Sequence, residues 1–111
     1  MGVKENLADL QDWQKTGADY AMHPADESEK VLYPVGEWNS TRIIFTPEKV
    51  EHWLNGKLLV SFVPWSDEWE AKKVKGKWKD ANLYGSYKSG YIGFQDHSSP
   101  IWFRNIKIKK L

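Results

Sequence analysis

Apolar and polar positions alternate most clearly in the middle of the chain, where they predict three β-strands. The run 41–46 is rich in β-branched and aromatic residues. The runs 50–54 and 57–63 flank the pair Asn55-Gly56. This pair is typical of a two-residue type I′ hairpin turn, because both central residues of that turn need a positive φ. The pattern therefore predicts an antiparallel hairpin beside a third strand.

The hairpin turn also predicts which side chains face the core. Counting outward from the turn pairs Trp53 with Leu58 and His52 with Leu59. We therefore predict a core face of four apolar residues: Trp53, Leu58, Val60 and Phe62. His52 is predicted on the opposite face, in a row whose other members are apolar: Val50, Leu54 and Leu59. A histidine in such a row is either a structural or surface residue or a member of a functional site.

The rest of the chain predicts one helix and weaker strands. Ser66 is expected to cap a short helix over 67–75 that stops at Gly76, with its lysine-rich end on a solvated face. The other predicted strands are 17–22, 91–97 and 101–109, with loops over 23–30 and 77–90. Near the start, Leu7, Leu10 and Trp13 fall at three-residue steps, which predicts a loose helical turn or a loop.

These elements predict an all-β fold, an antiparallel β-sandwich or jelly roll with one short helix. Hairpins without alternating helices favour that class. The strands are too few for a complete sandwich, so the fold is expected to be incomplete and to leave strand edges open.

Composition narrows the functional classes. The 111 residues suit one domain, and 16 basic against 15 acidic residues leave a net charge of +1. This balance argues against a nucleic-acid binder. No apolar run is long enough to predict a membrane span. The absence of cysteine excludes disulfides and thiolate chemistry. Met1 opens no signal-peptide pattern, so we expect either a cytoplasmic protein or a natural start further upstream.

Aromatic content is the unusual feature of the composition. Seven Trp, five Tyr and four Phe exceed what a small core is expected to hide. Some of them are predicted to line a surface that binds a flat, partly apolar ligand such as a sugar ring. The alternative is a tryptophan-rich β core.

Candidate chemistry lies mainly at Gln95-Asp96-His97, the densest polar cluster. Asp96 and His97 can serve one site only if the strand ends or bulges there, since neighbouring side chains of a strand point to opposite faces. The alternative is a turn in which Asp96 caps the following amides. Arg104 is either a fixed cation that braces Asp96 or an ordinary surface ion pair. The three histidines form no spaced zinc motif, so no metal is predicted, and a metal site assembled across strands stays an alternative.

Four ordered blocks resemble the 3-keto-disaccharide hydrolase domain family, a jelly roll of the concanavalin A-like lectin/glucanase type. The blocks are Val35-Gly36-Glu37-Trp38-Asn39, Glu51-His52-Trp53-Leu54-Asn55-Gly56, Gly93-Phe94-Gln95-Asp96-His97 and Trp102-Phe103-Arg104-Asn105-Ile106-Lys107-Ile108. The resemblance extends over 16–111 and implies the C-terminal part of such a domain, with a poorly structured segment over 1–15. Ser98 stands where the family usually has Gly.

The resemblance implies a bacterial, periplasmic or otherwise extracytoplasmic hydrolase that cleaves 3-keto-disaccharides or 3-keto-glycosides by acid–base chemistry without a cofactor. It implies three catalytic residues: His52, Asp96 and His97. It implies five residues that bind the carbohydrate: Gln95, Arg104, Trp102, Tyr20 and Trp53. Two alternatives remain, a non-catalytic carbohydrate-binding module of the same fold and a homo-oligomer that self-associates through open sheet edges.

Overall fold

A three-stranded antiparallel sheet is the centre of the structure, a computed structural model that describes residues 10–111. The strands are β1 (Thr41–Phe45), β2 (Val50–Leu54) and β3 (Lys57–Phe62), in the order β1-β2-β3. The hairpin turn between β2 and β3 is confirmed, because Asn55 and Gly56 have φ values of 48° and 80°. Leu7, part of the predicted N-terminal turn, lies outside the described residues.

A β-bulge changes the predicted register of the hairpin. Trp53 faces Leu58 as predicted, but His52 faces Val60 and not Leu59, because the register shifts between His52 and Trp53. The extra residue, Leu59, reverses the alternation of side chains along the rest of β3. Val60 therefore lies on the same face as His52, and the prediction that it shares a face with Trp53 and Leu58 is wrong.

The core lies on the face of the sheet that carries His52. Its buried cluster consists of Ala25, Leu54, Leu59 and Val60, with Ala18 and Phe62 packed against it. The bulge allows two consecutive residues of β3 to be buried, since Leu59 is 4% and Val60 5% exposed. Leu58, in contrast, is 39% exposed, so the predicted core face of the hairpin is wrong.

The segment 17–26 covers this core. The Asp26 amide donates to the carbonyl of Leu59 at 2.9 Å. Gly17 has φ +93°, and a Cβ there would lie 2.7 Å from a Leu59 methyl, so only glycine allows this close approach. The predicted strand over 17–22 is wrong, because the chain forms turns there and pairs only through an isolated bridge between Asp19 and His23.

The predicted helix is confirmed as α1 (Asp67–Lys75). The Ser66 hydroxyl accepts a hydrogen bond from the Trp69 amide at 3.2 Å, as an N-cap does. The lysine-rich end is not wholly solvated, because Lys73 is 7% exposed and donates to the carbonyl of Asn82 at 2.9 Å. No helix within residues 10–111 is long and apolar enough to cross a membrane.

The last third of the chain follows an irregular path over the surface. The loops over 23–30 and 77–90 are confirmed, but 91–97 and 101–109 form no strand. Strands need hydrogen-bonded neighbours, and no strand of the described region pairs with either run. Their apolar residues are accordingly exposed, Tyr91 fully and Ile108 at 76%. The architecture is an incomplete all-β jelly-roll arrangement with one short helix, as predicted.

Candidate functional site

His52 occupies the middle of the central strand, where the sheet holds its backbone from both sides. Its side chain is half-buried, and Nδ1 lies 3.2 Å from the carbonyl oxygen of Gly17. A carbonyl can only accept, so Nδ1 carries a hydrogen, and in the neutral form of the ring the lone pair is then on Nε2. The imidazole is thus oriented by its neighbour and chemically able to accept a proton.

Gln95, Asp96 and His97 lie on the exposed C-terminal part of the chain. A shallow hollow beside them is lined by Asp96 and the turn from Ser98 to Ile101. Ser98 adopts φ +64°, the left-handed region that favours glycine, at the position where the resembled family usually has glycine. Within residues 10–111, the Asp96 carboxylate accepts no hydrogen bond from the amides of this turn, so the simple capping arrangement does not form.

Arg104 is held by an aromatic ring. Its guanidinium carbon lies 4.1 Å from the ring centroid of Trp38, a cation–π contact. Among the described residues, Arg104 and Asp96 form no ion pair. Trp102, two residues earlier, is 74% exposed and presents its indole to solvent.

Trp53 lies on the face of the sheet opposite the core, in a group that sequence reasoning missed. Its indole N–H donates to the Glu51 carboxylate at 2.8 Å, and the Arg42 guanidinium lies 5.3 Å from its ring centroid. Glu51 is 7% exposed and also bonds to Lys49. The bond from the Lys49 ammonium lowers the pKa of Glu51 below its ordinary 4.5 and outweighs the opposite effect of burial. The alternation of Lys49, Glu51 and Trp53 in the sequence could have predicted this group, because alternate residues of a strand share a face.

Tyr20 belongs to an aromatic group near the N-terminal turn, a short 3₁₀ helix over Asp12–Gln14. Its ring meets Trp13 edge-on at 5.3 Å and lies 6.3 Å from Trp78. The Lys77 ammonium donates to the Tyr20 hydroxyl at 2.9 Å and lies 4.5 Å from the centroid of its ring. Trp78 in turn stacks on Tyr84 at 4.4 Å. Tyr20 is still 46% exposed, so one part of its ring remains accessible to a ligand.

A carboxylate–imidazole pair within the segment 17–26 was also missed by sequence reasoning. The Nδ1–H of His23 donates to the Asp19 carboxylate at 2.8 Å, and the imidazole stacks on Phe62 at 4.1 Å. The spacing of four residues allows such a contact in a turn. The predicted strand over 17–22 hid it, because an extended chain would keep the two side chains apart. Burial, and next the charge of Asp19, raise the pKa of nearby Tyr84 to about 12.

The predicted site residues thus occupy four places. His52 lies on the core face, Trp53 on the opposite face, Tyr20 in the aromatic group, and the remainder on the C-terminal segment: Gln95, Asp96, His97, Trp102 and Arg104. The hollow beside Asp96 is lined by neither histidine. Convergence of His52 and His97 in one site stays a prediction. Residues 10–111 contain no group of three metal-ligating side chains.

Comparisons with known proteins show what the chain is similar to. Residues 1–109 match the family described as the 3-keto-alpha-glucoside-1,2-lyase-like domain. A 3-keto-disaccharide hydrolase of Bacteroides thetaiotaomicron is 34% identical over 70% of this chain and 30% of its own length. A crystal structure of a Parabacteroides distasonis protein, provisionally named a glycosyl hydrolase, is 44% identical with a TM-score of 0.63, over 70% of this chain and 34% of its own. The chain spans about a third of the length of these relatives.

Proposed function

The chain belongs to the 3-keto-alpha-glucoside-1,2-lyase-like domain family, and from this premise we propose that it takes part in cleaving the glycosidic bond of 3-keto-disaccharides or 3-keto-glycosides. The family match over residues 1–109 carries the proposal, and the name of the Bacteroides relative supports the substrate class. Because the chain spans about a third of that relative, the proposal concerns what its own residues can do.

The chemistry begins at the keto group of the sugar. A carbonyl at C3 acidifies the hydrogen on C2, so a general base can remove that proton and form an enolate. The electron pair then forms a double bond between C1 and C2 as the bond from C1 to the glycosidic oxygen breaks. That oxygen takes up a proton, and addition of water across the double bond completes a net hydrolysis. The protein must supply a base, a proton donor and polar groups for the enolate oxygen.

His52 is the residue best prepared to act as the base. The carbonyl of Gly17 holds the hydrogen on Nδ1, which leaves Nε2 as the proton acceptor. We assign His97 as the proton donor and Asp96 as the carboxylate that orients it or acts as a base itself. This assignment supposes that the C-terminal segment lies against the sheet beside His52.

The remaining roles concern substrate binding. Arg104 and Gln95 are proposed to bind the keto and hydroxyl oxygens, because a guanidinium and an amide supply N–H donors. Trp102 and Tyr20 are 74% and 46% exposed, so their rings are available to stack on a sugar. Trp53 is less available, since its indole N–H is bonded to Glu51 and Arg42 lies over its ring.

The test measures release of monosaccharide from a 3-keto-disaccharide by the purified chain. His52→Ala and His97→Ala should each lower turnover by about 10²–10⁴-fold, the usual contribution of a positioned acid or base. His23→Gln is the matched control, since His23 is the third histidine and lies outside the proposed set. Circular dichroism checks that each variant is folded. Turnover that is unchanged in both alanine variants would refute the assignment.

Exposed aromatic rings favour a second candidate, a non-catalytic carbohydrate-binding module. Trp102 is 74% exposed, so its ring is available to bind a sugar without cleaving it. Calorimetric titration with neutral oligosaccharides distinguishes the two functions: heat without turnover supports binding alone. Trp102→Ala should then weaken binding, whereas His52→Ala should leave it unchanged.

The exposed apolar runs of the C-terminal segment favour a further alternative, self-association through strand edges. Ile92 and Ile106 are 73% and 57% exposed, an unusual exposure for alternating β-type residues. Light scattering that gives a strict monomer would argue against it.

For either sugar-directed function we propose a location outside the cytoplasm, in line with the family. Fractionation of cells that produce the protein would test that location.

A further inference from the structure

A groove between the N-terminal turn and the end of α1 combines lysines with an indole. Its cavity volume is ≈ 330 Å³. Trp13 forms one wall. Lys72 and Lys75 of α1 lie on the other side, with Lys77 just beyond the helix. The two walls meet at Gly76, where a Cβ would lie 3.6 Å from the carbonyl oxygen of Ala21, an ordinary van der Waals distance.

Among residues 10–111, the charged side chains that line the groove are all lysines. No carboxylate of this part of the chain lines it, and none of Lys72, Lys75 and Lys77 forms an ion pair there. Lysines at a helix C-terminus also interact favourably with the helix dipole, which explains why Lys72 and Lys75 are tolerated there. The helix dipole does not explain why Lys77 lies beyond the end of the helix or why Trp13 forms the opposite wall. In a chain whose net charge is only +1, this is a local concentration of cations.

The floor and wall of the groove are apolar and fixed. Met22 is 6% exposed, so its side chain is packed into the body of the protein. Trp13 is half-buried and held edge-on against Tyr20 at 5.3 Å, so its ring does not have to be ordered when a ligand binds. Lys77 is likewise held, by the Tyr20 hydroxyl at 2.9 Å. Binding to such a preordered surface loses little side-chain entropy.

Together these features select a ligand class. The C–H face of a pyranose ring packs on indole and methyl groups, and ammonium groups attract a negatively charged substituent of the same ring. A volume of ≈ 330 Å³ lies at the small end of ligand pockets and suits one sugar ring. We propose that this groove binds a single sugar ring that carries an anionic group, either a carboxylate or a sulfate. The site does not depend on the proposed glycoside cleavage.

The test is a titration of the whole chain, followed by ¹H–¹⁵N spectra, with four probes at matched ionic strength. The probes are D-glucuronate, D-glucose 6-sulfate, D-glucose and sodium sulfate. The charged sugars should shift the signals of the Trp13 indole and the Gly76 amide. At least one of them should bind about tenfold more tightly than glucose, the size expected from a few exposed ion pairs. The two charged sugars distinguish a carboxylate from a sulfate.

Variants test the role of the lysines. The double variant Lys72→Gln, Lys75→Gln should remove the preference over glucose, whereas Lys79→Gln, a matched change at an exposed lysine outside the groove, should retain it. The side chains of Lys72, Lys75 and Lys79 are all exposed, so these changes should leave the fold intact, and the spectra verify this. Equal binding of glucose, equal binding of sulfate alone, shifts confined to other residues or no binding would each overturn the proposal.

Discussion

Asn55 should contribute far more to stability than its place in an exposed turn suggests. Its side-chain carbonyl accepts from the Ser40 amide at 2.8 Å. Its side-chain NH₂ donates to the carbonyl of Val31 and to the side chain of Asn39, both at 2.8 Å. The residue also holds φ +48° in the hairpin turn. Asn55 therefore ties the long loop before β1 to the hairpin, and we predict that Asn55→Ala destabilises the protein strongly.

The magnitude follows from two separable losses. Three partly exposed hydrogen bonds are worth about 1 kcal/mol each at most, so together about 2–3 kcal/mol. Alanine in the left-handed region costs about 1 kcal/mol more, a cost that glycine does not have. Asn55→Ala should thus lower the free energy of unfolding by about 3–4 kcal/mol, and Asn55→Gly by about 1 kcal/mol less. Asn55→Asp keeps the acceptor but loses both donors, and it turns a carboxylate oxygen toward the Val31 carbonyl and the Asn39 side chain, so it should also lower the free energy of unfolding.

Urea unfolding followed by far-UV circular dichroism measures these differences. For a slope of about 1.5 kcal/mol per molar, Asn55→Ala should lower the midpoint by about 2 M. Asn82→Ala is the matched control, because the Asn82 side chain is exposed and makes no hydrogen bond within residues 10–111. A midpoint for Asn55→Ala equal to that of the control would refute the reasoning. Equal losses for Ala and Gly would refute the part that rests on φ.

Three further changes test the packing and the electrostatics. Leu54→Ala should lower the free energy of unfolding by about 2–5 kcal/mol, since Leu54 is 1% exposed, whereas Leu83→Ala, at a side chain 64% exposed, should change it by less than about 0.5 kcal/mol in the same urea assay. Gly85→Ala should cost about 1–3 kcal/mol, because φ is +66° there and the added Cβ would lie 2.6 Å from the Trp69 ring; near-UV circular dichroism should report the disturbed indole. The lowered pKa of Glu51 means that its stabilising bonds are complete above its ordinary value of 4.5 and are lost as the pH falls through the folded-state pKa. Glu51→Gln should therefore lose less stability than the unsubstituted chain as the pH falls below 4.5, and an equal loss would contradict this assignment.

The elements that sequence reasoning predicted correctly are those that local chemistry determines. Asn55-Gly56 defines the turn because few other pairs adopt two positive φ values. Ser66 defines the start of α1 because its hydroxyl satisfies an amide that would otherwise lack a partner. Neither element needs information from a distant part of the chain, so both are readable from a few neighbouring residues.

The errors arise where distant contacts decide the structure. The bulge at Leu59 is favoured by burial of two successive residues beneath Ala25, a contact that no local pattern in the hairpin reveals. The segment 17–22 has the composition of a strand, but Gly17 and Ala21 have φ values of 93° and 61°, which reverse the chain. The surroundings of His52 could not be predicted for the same reason, because its hydrogen bond with Gly17 joins residues 35 apart in sequence.

The two proposed catalytic histidines differ in how the fold supports them, and this difference bears on the proposed mechanism. His52 lies on a strand paired on both sides, and its ring is fixed by a backbone carbonyl. His97 lies on an exposed segment without regular structure, beside a turn in which Ser98 occupies a left-handed conformation. Acid–base catalysis requires both groups to be held within a fraction of an ångström of the reacting atoms. The apolar residues that alternate along the chain around His97 are exposed, and this alternation is typical of a strand that pairs with a neighbouring strand. Pairing of that segment with a sheet would therefore supply the order that His97 lacks, which makes strand pairing a physical requirement of the proposed chemistry.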